Sequence, residues 1–134
     1  MENREIKFRT WCSIDKYFEY GDLHDFPQGL YDGTLPQQFT GLKDKNGREI
    51  YEGDIVKYDG ESDITYHKPG IVSIGEYFTH AKKFEHFGIR VKRIDMDSYF
   101  GLNFSESKDY LIIGNIFENP ELLKKKLDLS DTLK

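Results

Sequence analysis

The sequence predicts a mainly β protein that begins with a strand and ends with a short helix. Several short segments alternate apolar and polar residues with a period of two, which is typical of strands with one buried face. Turn signals separate these segments, and Asn46-Gly47 is the strongest of them. The pattern changes only after Pro120, where signals for the start of a helix occur.

Length and composition indicate one domain. The chain has 134 residues, enough for a single hydrophobic core. Only 37% of the residues are hydrophobic, but 10 Phe, 9 Tyr and 1 Trp supply a large buried area per position. The net charge of −5 disfavours broad electrostatic capture of nucleic acid, although a local basic face is compatible with it.

Cys12 is the only cysteine, which excludes an internal disulfide and a cysteine-rich metal site. We interpret it as an unreactive core residue, because no thiol-enzyme signature surrounds it. Charged residues interrupt the first twenty positions, and the apolar run at 110–113 is far shorter than the roughly 20 residues of a membrane span. The expected location is the cytoplasm.

The segment 5–12 is predicted to be a strand, with Ile6, Phe8 and Thr10 on one face. The other face, which we expect to be solvated, carries Lys7, Arg9 and Trp11. Residues 21–38 contain two prolines and three glycines, and they are predicted to form an irregular connection or arm.

Asn46-Gly47 predicts a tight hairpin between strands near 39–43 and 48–51, because both residues tolerate positive φ. Gly53-Asp54 predicts a second break, in which the aspartate accepts a hydrogen bond from a nearby backbone N–H. A strand is expected to restart at 55–58.

Three further strands are predicted at 70–78, 88–94 and 109–119. The first should contain a turn or bulge at Gly75, and the last should be interrupted at Gly114. Two interpretations of 79–88 stay open at this point. One is a short helix that places Phe84 and Phe87 against the core, and the other is a long hairpin loop.

The helix after Asn119 is predicted from a side-chain cap, Pro120 in the first turn and Glu121 near the positive end of the helix dipole. Its apolar stripe either packs on the protein's own core or mediates self-association. The stripe consists of Leu122, Leu123 and Leu127.

Carboxylates cluster around residue 50 and are the first candidates for acid–base chemistry or metal binding. We interpret them as turn and surface residues that shape the backbone. They are Asp44, Glu49, Glu52 and Asp54.

A second constellation combines three histidines with two glutamates, but it lacks the spacing of a known zinc site. It consists of His67, His80, His86, Glu76 and Glu85. Walker-type loops and nucleophile elbows are also missing from the sequence. We therefore expect no catalytic residue, no metal and no cofactor, and an enzyme with an unrecognised acidic or histidine site is the third choice of function.

Clustered cations and aromatic residues favour one binding hypothesis, a face for single-stranded nucleic acid. The alternative interpretation is that alternating lysines and arginines decorate the wet side of strands. The candidate residues are Lys7, Arg9, Trp11, Arg90, Lys92 and Arg93.

Three blocks of the sequence, in the order given, resemble the YopX family, whose members are encoded by phages and prophages of Gram-positive bacteria. They are REIKFRTW at 4–11, FTGLKDKNGREIYEGDIVKY at 39–58 and IIGNIFENPELL at 112–123. The resemblance implies an SH3-like barrel or roll, an oligomeric state and a location in a bacterial host cell, and it carries no catalytic or ligand-binding residue with it.

Together these observations predict one globular unit in three parts. Residues 1–38 would be the N-terminal strand, added at an edge, and the arm; 39–119 the SH3-like β-barrel; and 120–134 the helical tail. The expected function is a protein-interaction module for host or phage components. Weak binding of single-stranded nucleic acid is the alternative.

Overall fold

The computed structural model describes residues 6–22, 36–60, 68–79 and 84–123. Over these ranges the protein is mainly β, as predicted. The strands are β1 (Phe8–Cys12), β2 (Tyr17–Gly21), β3 (Gln37–Lys43), β4 (Glu49–Tyr51), β5 (Asp54–Tyr58), β6 (Gly70–Thr79), β7 (Phe84–Arg93), β8 (Phe100–Gly101) and β9 (Tyr110–Asn115). A single helical turn, α1 (Phe104–Ser107), precedes β9, and a 3-10 helix, Pro120–Leu123, follows it.

The strands form two antiparallel sheets, one in the order β2-β1-β3-β4 and the other in the order β8-β7-β6-β5-β9. The prediction that the first strand is an added edge is wrong, because β1 lies between β2 and β3. Phe8 pairs with Gly21 on one side and with Gln38 on the other. The hairpin partner β2 was not predicted, and it takes the edge position instead.

The hairpin at Asn46-Gly47 is confirmed. Lys43 pairs with Glu49 across the turn, and Gly47 has a φ of 82°. The break at Gly53 is also confirmed, with a φ of 85° between β4 and β5. The positive φ favours glycine at this position, and a Cβ atom there would also displace the side-chain amide of Gln37.

The β6–β7 hairpin corrects two expectations. Gly75 lies directly opposite Gly88 in a register without shifts, so the turn or bulge predicted at Gly75 is wrong. The helix considered for this region is wrong for Phe84 to Gly88, which belong to β7, and Phe87 is 75% exposed. Residues 80–83, which the predicted loop would include, lie outside the described residues.

Gly114 does not end its strand, since β9 continues to Asn115. The expected irregularity is instead a register shift: Ile55 pairs with Gly114 and Val56 with Ile112, which leaves Ile113 as the extra residue of a bulge. A Cβ atom at Gly114 would lie 2.6 Å from Oδ1 of Asn119, so glycine permits this close approach.

The two sheets share one hydrophobic core. Its buried residues come from β3 and β4 on one side and from β5, β6 and β7 on the other, with one residue from the segment before α1. They are Leu42, Ile50, Val56, Val72, Val91 and Leu102.

The described part of the tail is a four-residue 3-10 helix rather than the start of a regular α-helix. The side-chain oxygen of Asn119 accepts a hydrogen bond from the backbone N–H of Asn115, at 3.2 Å. Leu122 and Leu123 are half-buried, and Leu127 lies outside the described residues. No helix among the described residues is long and apolar enough to cross a membrane.

Candidate functional site

Asp44, the first of the predicted surface carboxylates, is buried, with 3% exposure. Its Oδ1 atom accepts hydrogen bonds from the backbone N–H groups of Asn46 and Arg48, each at 2.9 Å. Its Oδ2 atom accepts from the N–H of Ile112 in β9, at 3.0 Å. The expected surface position is therefore wrong, while the expected backbone-shaping role is what the geometry shows: Asp44 closes the hairpin and ties it to the other sheet.

Asp54 is also buried and forms an ion pair with Arg9. Oδ1 of Asp54 lies 2.8 Å from Nη2 of Arg9, and Oδ2 accepts from the N–H of Tyr51 at 2.8 Å. Burial raises the pKa of the Asp54 carboxyl, while Arg9 and the Tyr51 N–H act in the opposite direction. The predicted hydrogen bond from a nearby backbone N–H to Asp54 is thus confirmed, and its predicted exposure is wrong.

The two glutamates of this region also have structural partners. Glu52 accepts from the backbone N–H of Gln38 at 2.9 Å, and Glu49 forms an ion pair with Lys7. All four carboxylates therefore accept hydrogen bonds from backbone N–H groups or pair with cations. No group of three or more metal-ligating side chains that could hold an ion occurs in the described part of the chain.

The N-terminal half of the predicted nucleic-acid face is not a solvated surface. Arg9 is 5% and Trp11 7% exposed. The Arg9 guanidinium lies over the ring of Phe18, 4.0 Å from its centroid, and Trp11 stacks on Phe117 at 5.7 Å. Alternation alone predicts a solvated face here, but it does not show that Phe18 of β2 and Phe117 after β9 pack on the side chains of that face.

The remaining candidates, Arg90, Lys92 and Arg93, lie on β7 in the other sheet. Arg93 pairs with Asp95 at 2.8 Å. Side chains alternate along a strand, so Arg90 and Lys92 share a face and Arg93 lies on the opposite one. The structure therefore divides the six predicted residues between two sheets.

The histidine constellation is only partly described. His67 and His80 lie outside the described residues. His86 is exposed and stacks on Tyr77, with 5.0 Å between ring centroids. Glu76 and Glu85 are exposed, and Glu85 pairs with Phe78 across the hairpin. Cys12 is buried, as predicted.

A groove of about 600 Å³ lies beside β6, and we call it the β6–β7 groove. Its volume is within the range of about 300–1,000 Å³ found for ligand pockets. It is lined by Glu76, Tyr77, Phe78, Arg90, Asp97, Ser98 and Tyr99.

Arg90 is the fixed cation of this groove. Its side chain crosses Gly75, where a Cβ atom would lie 2.6 Å from Cζ of Arg90. Nε donates to Oγ of Ser73 at 2.9 Å, and Nη1 donates to the carbonyl oxygen of Glu76. The ring of Tyr99 lies 3.8 Å from Cζ. Arg90 has no carboxylate partner in the described ranges.

Sequence reasoning found Arg90 but missed Ser73, Tyr77 and Tyr99. The available signal is Gly75 inside an otherwise alternating strand, a position for which the sequence predicts a turn or bulge. A strand glycine also marks close approach by another group, and here that group is the guanidinium of Arg90.

The described residues define the class of fold, a mainly β protein in which two antiparallel sheets share a hydrophobic core. Comparison with protein families matches residues 13–124 to the family described as YopX protein. The chain therefore belongs to the YopX family. The match includes two of the three blocks that carried the resemblance, whereas the block at 4–11 precedes it.

The structure is similar to the crystal structure of protein EF1440 from Enterococcus faecalis, with a TM-score of 0.50 and 24% sequence identity. The alignment covers 91% of this chain and 100% of EF1440. At this identity the similarity concerns the fold alone. A comparison with curated proteins finds no match.

Proposed function

We propose that this protein is a non-enzymatic accessory protein of phage or prophage origin that acts as a protein-interaction module in the bacterial cytoplasm. In this proposal β3 to β9 form an SH3-like barrel, whose core is the cluster shared by the two sheets. The partner is a host or phage protein.

One observation carries the proposal: the apolar face of the β6–β7 hairpin continues outward from the core. Val72 and Val91 face each other at 0% and 1% exposure. Further along the same face, Phe78 and Phe87 are 46% and 75% exposed. Phe78 pairs with Glu85 and Phe87 with Glu76, so the two rings are diagonal neighbours. Exposed aromatic residues are enriched at protein interfaces.

The partner can be found by affinity purification from prophage-induced cells, followed by binding measurements with each purified candidate. Replacing both rings, Phe78→Ser with Phe87→Ser, should weaken binding of the true partner on the order of tenfold or more, as expected for aromatic interface residues. Phe104→Ser is the matched control, since Phe104 is 65% exposed but lies at α1. The proposal fails if no candidate binds again once purified, or if the double variant binds as well as wild type.

Self-association through Leu122 and Leu123 is part of this proposal. These leucines are half-buried in the 3-10 helix and leave part of their apolar surface accessible. Light scattering over a concentration series should show a mass above that of the monomer. A constant monomer mass would contradict this part alone.

Weak binding of single-stranded nucleic acid is the second candidate, supported by the stacking of Arg90 on Tyr99. Lys92 would add a second cation on that face, whereas Asp97 in the groove opposes a polyanion. Filter binding of labelled oligonucleotides at low and moderate salt tests this function. Binding at low salt that Arg90→Gln abolishes would favour it over the interaction module.

A further inference from the structure

We infer that the outer edge of β6 binds an extended peptide segment of the partner by strand addition, and that Arg90 forms an ion pair with an acidic side chain of that segment. The inference rests on the proposed interaction function and specifies the chemistry of the partner.

The first step is that β6 is paired on both sides only near its beginning. β7 pairs with the whole of β6, from Gly70 to Thr79. On the other side β5 pairs only with Gly70 and Ile71. No further strand pairs with this side of β6 in the described ranges. Among the described strands, the outer edge of β6 beyond Val72 thus has no pairing partner.

The second step identifies the backbone groups on this edge. The carbonyl oxygen of Val72 accepts from the N–H of Gly53, at 2.8 Å, so it points away from β7. Backbone groups alternate in direction along a strand, so those of Ile74, Glu76 and Phe78 point the same way. An exposed edge of this kind is a template for the backbone of another chain.

The third step concerns the cation at the edge. The bond from Arg90 to the carbonyl of Glu76 places a guanidinium at the middle of the open edge. Ser73 and Tyr99 hold its orientation. A guanidinium fixed in this way is suited to a carboxylate, with which it forms charge-assisted hydrogen bonds.

The fourth step concerns the walls of the groove. The rings of Tyr77 and Tyr99 line the same groove as Arg90 and offer apolar contact to neighbouring side chains of a bound strand. The side chain of Glu76 lies on the opposite face of the sheet from Arg90, because their cross-strand partners, Phe87 and Ser73, lie on opposite faces. Asp97 is then the acidic group that faces the ligand, and it should weaken binding of an acidic segment.

The probe for this inference is a displayed library of random linear peptides, selected against the wild-type protein. We expect enriched peptides to share an aspartate or glutamate between residues of high strand propensity. Arg90→Gln should weaken a selected peptide on the order of tenfold, the scale of a charge-assisted interaction. Asp97→Asn is the control with the opposite charge change, and it should leave binding unchanged or strengthen it.

Amide hydrogen exchange with and without the selected peptide tests the binding mode. The N–H groups of Ile74, Glu76 and Phe78 should gain protection, since a bound strand would accept hydrogen bonds from them. Thermal unfolding shows whether the Arg90→Gln variant is folded. Tyr99→Leu is a second variant, which removes the ring that stacks on the guanidinium of Arg90.

Three results would overturn the inference. They are selection of no peptide, peptides without an acidic residue, or binding that leaves the three edge amides unprotected. Failure here is distinguishable from failure of the proposed function. A partner that depends on Phe78 and Phe87 but binds Arg90→Gln normally would leave the interaction module standing and remove strand addition.

Discussion

Arg9 and Asp54 form a buried ion pair between the two sheets, with 2.8 Å between Nη2 and Oδ1 and side-chain exposures of 5% and 4%. Arg9 lies on β1 and Asp54 on β5, which belong to different sheets. Nε of Arg9 also donates to Oε1 of Gln37, at 2.8 Å. These bonds connect the β1 strand to the start of β5.

Removing the charge of Asp54 should strongly destabilise the protein. In Asp54→Asn the buried guanidinium of Arg9 loses its counter-charge, which we expect to cost about 3–5 kcal/mol of unfolding free energy. The matched control is Asp59→Asn, because Asp59 pairs with Lys45 at exposures of 44% and 49%. That variant should lose about 1 kcal/mol or less. Urea unfolding measures both, and equal losses would contradict the assigned role of the buried pair.

Asp44 should hold two different parts of the structure through its two carboxylate oxygens. In Asp44→Asn the amide can still accept from Asn46 and Arg48, but its NH₂ group cannot accept from the N–H of Ile112. We expect a loss of about 1–3 kcal/mol for the unsatisfied N–H. Amide exchange should accelerate at Ile112 and stay nearly unchanged at Asn46. Uniform acceleration at both positions would contradict the division between the two oxygens.

Gly47 and Gly53 have nearly the same positive φ but differ in the space around them. Alanine at each position therefore separates the cost of steric overlap from the cost of backbone strain. Gly47 has a φ of 82°, and beyond its two chain neighbours no atom lies within 4 Å of where a Cβ atom would be, whereas a Cβ atom at Gly53 would collide with Gln37. Gly47→Ala should therefore cost about 1 kcal/mol from positive φ alone. Gly53→Ala should cost at least about 1 kcal/mol more, because displacing Gln37 also disturbs its bond to Arg9. Similar unfolding free energies of the two variants would contradict this account.

Two tyrosines should make stability fall at alkaline pH. Burial, followed by the charge of Glu49, raises the pKa of Tyr51 to about 12. Burial, followed by the charge of Glu106, raises the pKa of Tyr110 to about 12. A folded-state pKa above the unfolded value means that this contribution to stability is fully present below about pH 10 and is lost as pH rises toward the folded-state value.

The measurement is urea unfolding at a series of pH values, with tyrosinate absorbance recorded in parallel. Tyr51→Phe and Tyr110→Phe should each lose less stability than wild type between about pH 10 and 12, since phenylalanine does not ionise. A wild-type stability that is flat over this range would contradict the prediction.

The sequence by itself determined the β class and most strand positions. Asn46-Gly47 and Gly53 fixed two chain reversals, because positive φ at these residues is a local property that needs no distant partner. Alternation in β6 and β7 likewise identified their strands, since a period of two reflects the pleat of a single strand.

Only the tertiary structure decided which faces of the strands are buried and which strand edges are unpaired among the described residues. Arg9 and Asp54, and equally Asp44 and Ile112, lie far apart in the chain, so no local pattern shows that one polar group will satisfy the other. The edge of β6 is similar: the sequence predicts the strand, but only the tertiary structure shows that β5 pairs with Gly70 and Ile71 alone and that no other described strand pairs with the rest of that edge. Burial and edge exposure depend on contacts between distant segments, whereas turn and strand preferences depend on neighbouring residues.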